Sequence, residues 1–407
     1  MRYFHFILLL SSVLSCKAST NYHESYFKVN DSIFPERIFL TATDNPGKSM
    51  MVQWSIKSSE LKQEIQWTLN TPGPIDKEKV LQATANIKDL HSGNHFYNFQ
   101  MENLNENTSY LYRVGTSGNW SAWYEFKTCA TDQTIQFIYL GDTQRSWTGS
   151  WPRVLQAAIN AMPFPDFILH AGDIVQNPDD DAEWSAFSKT ASPVHSRIPL
   201  ITVPGNHEYV KDENGKKSGI TRQWSRHFSF PANGLEDLTD RNYFIDYSNL
   251  KIILMDSNTK LKEQGDWLDS LLEQNTTRWV IVIFHHPVYS AAKDRFNEGV
   301  QKWWLPVLEK HNVDLVLQGH DHIYSRKKSV NESATAGPVY ITSVSGEKMY
   351  PPGDQDKFDV LIADTQCYQT IEIENDKLEY RAFSADGKQI DQFTIEKSGV
   401  KVIHDIR

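Results

Sequence analysis

Six side chains able to bind cations lie at the ends of apolar runs. They are Asp142 and Asp173, each after a glycine, Asn206 in Gly205-Asn206-His207-Glu208, His285 in His285-His286, and His320 and His322 in Gly319-His320-Asp321-His322. The preceding runs, 135–140, 167–169, 200–203, 280–284 and 315–317, are aliphatic, β-branched or aromatic and read as buried strands. Strand ends in such sheets bring side chains from distant positions into one crevice. Oxygen and nitrogen donors gathered in this way point to a site holding two metal ions and suited to hydrolysis.

The elements that must position these residues fall into two regions. From residue 33 to 128 the chain alternates apolar and polar residues, as in Val52-Gln53-Trp54-Ser55-Ile56 and Tyr110-Leu111-Tyr112-Arg113-Val114. Turn residues break it at Asp44-Asn45-Pro46-Gly47, Thr71-Pro72-Gly73-Pro74 and Ser92-Gly93-Asn94. Short strands at that spacing predict an all-β sandwich. Trp54 and Tyr112 read as its core aromatics. After a linker at 129–133, strands alternate with helical stretches at 153–162, 181–189, 223–227, 264–274 and 298–311, which predicts a layered α/β domain over 134–397. Asp386-Gly387 marks a hairpin near its end.

The chain has 407 residues with a net charge of -10, so a dedicated nucleic-acid surface is not expected. Anionic substrates stay open, because bound metal ions dominate the local field. Residues 1–15 read as a signal peptide: Arg2, an apolar stretch over 4–14, then small residues. The following Cys16 resembles a bacterial lipoprotein processing site, with ordinary signal cleavage as the alternative. The expectation is an exported protein of the cell envelope, periplasmic or at the surface, attached to the membrane through lipidated Cys16, and otherwise secreted. Cys129 and Cys367 are the remaining cysteines, and their spacing does not decide whether they pair. The oligomeric state is not legible.

In their order, the motifs Gly-Asp, Gly-Asp, Gly-Asn-His-Glu, His-x-Pro and Gly-His-x-His resemble those of the calcineurin-like metallophosphoesterases. The sandwich ahead of them resembles a fibronectin type III module, and the whole resembles the purple acid phosphatases and their bacterial relatives. The resemblance implies two β-sheets flanked by helices, and two transition-metal ions (Fe, Zn or Mn) bridged by Asp173. Asp142 and His322 would complete one metal's shell; Asn206, His285 and His320 would complete the other's. The ions would turn a shared water into hydroxide that attacks the phosphorus of a small-molecule phosphate ester. The family's ligand follows Val-x-x and precedes x-Pro, which selects His285 and leaves His286 near the substrate. His207 matches a substrate-facing histidine able to protonate the leaving group, against the plainer reading of a hydrogen-bonded residue behind the ligands.

Two positions depart from the pattern. Gln176 stands where the purple enzymes have a tyrosine ligand, which removes the source of their colour. Gln144 stands where simpler members have a histidine; it is expected to coordinate through its amide oxygen or to hold a metal-bound water. Asp256 reads as a loop-fixing carboxylate, His170 as a buried residue behind the ligands, and the run Asp179-Asp180-Asp181 as a solvated loop and helix N-terminus, while Arg145, Tyr209 and Tyr324 flank motifs and are candidate pocket residues. A phosphomonoesterase is the leading expectation. A phosphodiesterase or nucleotide hydrolase on the same site is the alternative, and a lipid-anchored binding protein without catalysis is the remote one.

Overall fold

The computed structural model describes residues 34–57, 62–91, 93–130, 134–330 and 336–406. The expected leader and Cys16 lie outside the described residues. Among the described residues no helix is long and apolar enough to cross a membrane.

The N-terminal region is a two-layer β structure. One layer pairs Glu36–Thr41, Met50–Ile56, Asn94–Met101 and Asn86–His91 in antiparallel succession. The other pairs Leu81–Thr84, Glu64–Leu69, Ser109–Thr116 and Tyr124–Lys127. Alternate residues from both layers, including Val52, Trp54, Ile65, Tyr97, Tyr112 and Phe126, form one apolar core. Trp54 stacks on Tyr97 with ring centroids 5.8 Å apart. Tyr112 is core, as its pattern predicts, but its hydroxyl also donates to Ser196 O in the next region at 2.8 Å.

The second region holds two sheets face to face. In the first, Ile135–Leu140, Phe167–His170 and Leu200–Thr202 run parallel, and Cys367–Glu374, Lys377–Ser384, Gln389–Glu396 and Val402–Asp405 extend it antiparallel. Gly387, with φ of 86°, turns the predicted hairpin between Lys377–Ser384 and Gln389–Glu396. The second sheet orders Tyr243–Tyr247, Leu250–Leu254, Trp279–Ile283, Leu315–Gln318, Ala336–Thr342, Tyr324–Val330 and Val360–Ile362. Its central strands are buried on both faces, hence their unbroken apolar sequence. Ile252, Ile281, Ile283 and Leu317 meet the first sheet, whereas Ile253, Val282 and Val316 meet the covering helices.

Sequence and structure differ in three places. The helical stretch at 298–311 is two helices, Glu298–Trp303 and Leu305–Lys310. Pro306 in the first turn of the second lacks the N–H that a continuous helix needs. The helix at 181 runs on to His195, through Pro193. Finally, the two regions are not separate sheets: Thr41 pairs in parallel with Leu200, so the first layer of the sandwich continues the first sheet of the second region into one sheet of eleven strands.

Candidate metal centre

The predicted ligands converge where the two sheets' strands end. Asp142 follows Ile135–Leu140, Asp173 follows Phe167–His170, Asn206 and His207 ride on a single turn after Leu200–Thr202, His285 follows Trp279–Ile283, and His320 and His322 follow Leu315–Gln318. Glycines permit the close approach. A Cβ on Gly319 would overlap the Asp142 carboxylate, and one on Gly205 would overlap that of Asp173.

Two groups of ligand atoms form, and they share one carboxylate. Asp142, Asp173 and His322 make the first; Asp173, His285 and His320 make the second. His322 Nε2 lies 3.3 Å from Asp142 Oδ1, and His285 Nε2 lies 3.2 Å from Asp173 Oδ2. The Asn206 amide oxygen is 3.2 Å from His285 Nε2, which places it with the second group. His320 presents Nδ1 to the same nitrogen at 3.2 Å.

Hydrogen bonds behind the ligands fix their tautomers. A carbonyl only accepts, so His285 Nδ1 carries the proton it donates to Ala171 O at 2.8 Å, and His322 Nδ1 does the same to Lys348 O at 2.7 Å. With Nδ1 committed as a donor, Nε2 is the nitrogen each ring turns toward the carboxylates, and it is the one that binds a cation once any proton on it has left. Among the described residues, neither Asp142 nor Asp173 forms an ion pair with a lysine or arginine; their charged neighbours are imidazoles. Burial raises Asp142 well above the usual carboxylate range. Burial alone would lower His285, yet the Asp173 carboxylate beside it raises it to about 9. A buried pocket of two carboxylates that draws protons in this way demands positive charge, and the donors present suit transition-metal ions.

The two glutamines occupy different places. Gln144 Nε2 is 3.3 Å from both Asp173 Oδ2 and His322 Nε2, inside the first group, while its Oε1 is buried without a partner. A half-turn of the amide points that oxygen at the group, as a ligand would. Gln176 turns away from the ligands. Its Nε2 lies 3.1 Å from His207 Nδ1, and its backbone carbonyl accepts from the same nitrogen at 2.8 Å. His207 is thus protonated at Nδ1, with Nε2 free for a second proton. His286 sits with its ring centroid 4.4 Å from that of His320. Ser257 Oγ accepts the His286 backbone N–H at 3.0 Å and lies 2.8 Å from its Nδ1. Because the hydroxyl has one proton and two lone pairs, it can donate to Nδ1 while accepting the backbone N–H, the arrangement that leaves Nε2–H as the ring's outward donor.

The remaining flanking residues do structural work. The Asp256 carboxylate accepts from Tyr209 and from Arg241 and Asn258, so Tyr209 is engaged there. Tyr324 is fully buried and donates to Asp391 at 2.7 Å, so it does not line the pocket. Arg145 is exposed. His170 is buried, and its Nδ1 accepts from Gly172 N at 3.2 Å. The run at 179–181 opens a helix as expected, with Asp180 as its cap, but it is not only solvated: Asp181 accepts two bonds of 2.8 Å from Arg37 of the sandwich. Cys129 and Cys367 are both buried and free.

Sequence reasoning gave Glu208 no role, although it is the last letter of a motif. Its buried carboxylate accepts from the backbone N–H of Asp173, Ile174, Val175 and Gly205 at 2.9, 2.7, 3.2 and 2.7 Å. It ties the loop of the shared aspartate to the turn of Asn206. A carboxylate two residues from a ligand, in a segment that must bury several loop N–H groups, was the available signal.

Residues 135–324 match the family Calcineurin-like phosphoesterase, and residues 35–128 match Purple acid Phosphatase, N-terminal domain. Purple acid phosphatases 22 and 21 of Arabidopsis thaliana are 26% and 28% identical over 68% of the chain each, and those alignments span 64% and 63% of the relatives' lengths. Acid phosphatase type 7 of Homo sapiens is 24% identical over 72% of this chain and 71% of its own. In three dimensions the purple acid phosphatase PPD1 of yellow lupin superposes with a TM-score of 0.75 at 16% identity, over 89% of this chain and 74% of that one. PhoD superposes at 0.68 and 11% identity, over 93% of each. These two likenesses concern the fold. The two β layers ahead of the paired sheets are thus a purple acid phosphatase N-terminal domain, and the sheets whose strand ends gather the ligand groups around one shared aspartate are a calcineurin-like phosphoesterase domain.

Proposed function

We propose that this chain is a metal-dependent phosphoric monoester hydrolase. The observation that carries the reading is the pair of ligand groups sharing Asp173, with His207 and His286 beside them. Two transition-metal ions, when bound, would supply an activated water and neutralise phosphoryl charge. Asp173 would bridge them, Asp142 and His322 would hold one with Gln144 at its side, and Asn206, His285 and His320 would hold the other. The protein's own groups then do the rest. His207, with Nδ1–H tied to Gln176 O, carries its exchangeable proton on Nε2 and delivers it to the leaving-group oxygen. His286, held by Ser257, offers Nε2–H to a phosphoryl oxygen.

The test is metal analysis of the purified chain, followed by phosphate release from 4-nitrophenyl phosphate and bis(4-nitrophenyl) phosphate. Two metal equivalents and faster turnover of the monoester are expected. Preference for the diester would replace the reading with a phosphodiesterase. A fully loaded protein that cleaves neither would remove hydrolysis.

We further propose export with lipid attachment at Cys16, supported by Arg2 and the apolar stretch before it. In a bacterial host the protein should fractionate with membranes and the Cys16→Ala variant should not. Equal fractionation of the two would overturn the attachment.

A further inference from the structure

A hairpin, Tyr209–Lys211 with Lys217–Ile220, grows directly out of the turn that carries Asn206 and His207. Its second strand opens on Lys217. The Lys217 ammonium is half-buried and donates to the Asn258 amide oxygen at 2.6 Å. Among the described residues no carboxylate lies within ion-pair distance of it. Asn258 in turn donates to Gly205 O at 3.2 Å and to Asp256 Oδ1 at 2.9 Å, beside the turn of Asn206. Its chain neighbour Ser257 holds His286. Consecutive residues thus hold His286 and Lys217, and the lysine's charge acts on both His286 and Asp173. The nearby arginines are already engaged: Arg241 with Asp256, and Arg295 with His320 O at 2.8 Å and the Asp321 carboxylate at 3.5 Å.

Drawn partly out of water, held by a neutral amide and 5.7 Å from the centre of the Tyr209 ring, the ammonium has no carboxylate at ion-pair distance among the described residues to offset its desolvation. Burial accordingly holds Lys217 below the ordinary lysine value, while Asp256 and Asp173 favour its proton. A phosphate monoester carries three nonbridging oxygens and a second negative charge; a diester carries two oxygens and one charge. A cation tied through Asn258 to the turn of Asn206 is suited to read that difference.

We propose that Lys217 is a substrate-binding residue that takes the additional anionic oxygen of a phosphomonoester, and of the phosphate product, and so sets preference for monoesters over diesters. The inference rests on the reading of this site as a phosphoester hydrolase. It is tested in the metal-loaded full chain with Lys217→Gln, Lys217→Arg and, as a control, Lys216→Gln, whose lysine is exposed on the same hairpin. Metal content, the Kd of inorganic phosphate by calorimetry, and KM and kcat for both nitrophenyl esters are measured. A lost charge-assisted hydrogen bond predicts phosphate binding and monoester KM weakened about tenfold or more in Lys217→Gln. Diester constants and metal content should hold, Lys217→Arg should retain phosphate binding, and Lys216→Gln should match the parent. Equal losses for monoester and diester would show that Lys217 only braces Asn258 and the hairpin. Unchanged phosphate binding would also overturn the proposal. A parent protein inactive on both esters would sink the hydrolase reading instead, while calorimetry still reports on Lys217.

Discussion

Asp142, Asp173, His320 and His322 hold left-handed backbone, with φ of 54°, 52°, 74° and 50°. Such conformations cost about 1–3 kcal/mol per residue and persist only where surroundings over-determine them. Here they are over-determined: His320 N donates to both Asp142 oxygens at 3.0 and 2.9 Å, and Thr143 N and Gln144 N both donate to Asp173 O. The strain sets side chains of adjacent loops against one another before any ion arrives. Asp173 belongs to both ligand groups, so Asp173→Ala should release both metals, whereas His322→Ala should leave the second group's metal in place. Elemental analysis decides, and a fully loaded Asp173→Ala protein would mean the bridge is misassigned. His207 contributes its backbone N–H to Asp173 Oδ1 at 2.9 Å, which any residue can do, and its ring to Gln176. His207→Ala should therefore keep its metals and lose about a hundredfold in turnover on alkyl phosphates, with a smaller loss on aryl phosphates. A flat response across leaving groups would leave the ring an electrostatic role only. The six ligands were legible in the sequence because each lies just past an apolar run and four of them directly follow a glycine. Lys217 was not, because nothing in a linear sequence says that a turn-borne lysine lacks an acid.

At the scale of elements, Glu208 joins two loops that carry ligands. It accepts four backbone N–H groups, and burial together with the Asp173 charge raises its carboxyl to about 7. Truncation leaves those donors buried and unpaired at about 1–3 kcal/mol for each that water cannot reach. Glu208→Ala should lower the unfolding midpoint of the metal-free protein and weaken metal binding together, although Glu208 touches no metal. Glu208→Gln retains an acceptor oxygen and should lie between. If Glu208→Ala binds metal as the parent does, the loops are held by their strands alone. Elements were read best where one local rule dominated, as in the both-face-buried strands. They were read worst where tertiary packing outvoted it. The sequence pattern carries the helix from Asp181 only to 189, yet Ala191 and His195 are buried beyond Ser188, and His195 stacks on Phe39 at 5.8 Å. That contact comes from a strand far away in the chain.

The whole molecule is organised by that distant strand. The composition change at 129–133 predicts two domains, and cores do form on either side, but Phe39 and Ala42 of the first region belong to the core of the second. The Thr41–Leu200 pairing is non-local and rests on one register position, so no pattern in the sequence announces it. Beside it, Arg37 donates to both Asp181 oxygens and to His227 Nε2, which is a free acceptor because Nδ1 donates to Gln223 O. The Arg37 side chain is 3% exposed and that of Asp181 39%, so the loss of the pair is borne chiefly by the arginine left behind. Asp181→Ala should destabilise by about 1–3 kcal/mol, reduced by the solvent that already reaches the carboxylate. The sign with pH follows from the carboxyl's depressed pKa: burial opposes ionisation, but the Arg37 bonds prevail. The stabilisation is present above the ordinary carboxylate range and disappears as pH falls through the lowered folded value. Parent and Asp181→Ala unfolding midpoints should therefore differ at neutral pH and converge in acid. Because the sheet is shared, both proteins should unfold in one transition, with tryptophan fluorescence and far-UV dichroism coincident. Two separated transitions in the parent would show that the sandwich is an independent domain docked on the second region, and that the shared sheet contributes little to holding them together.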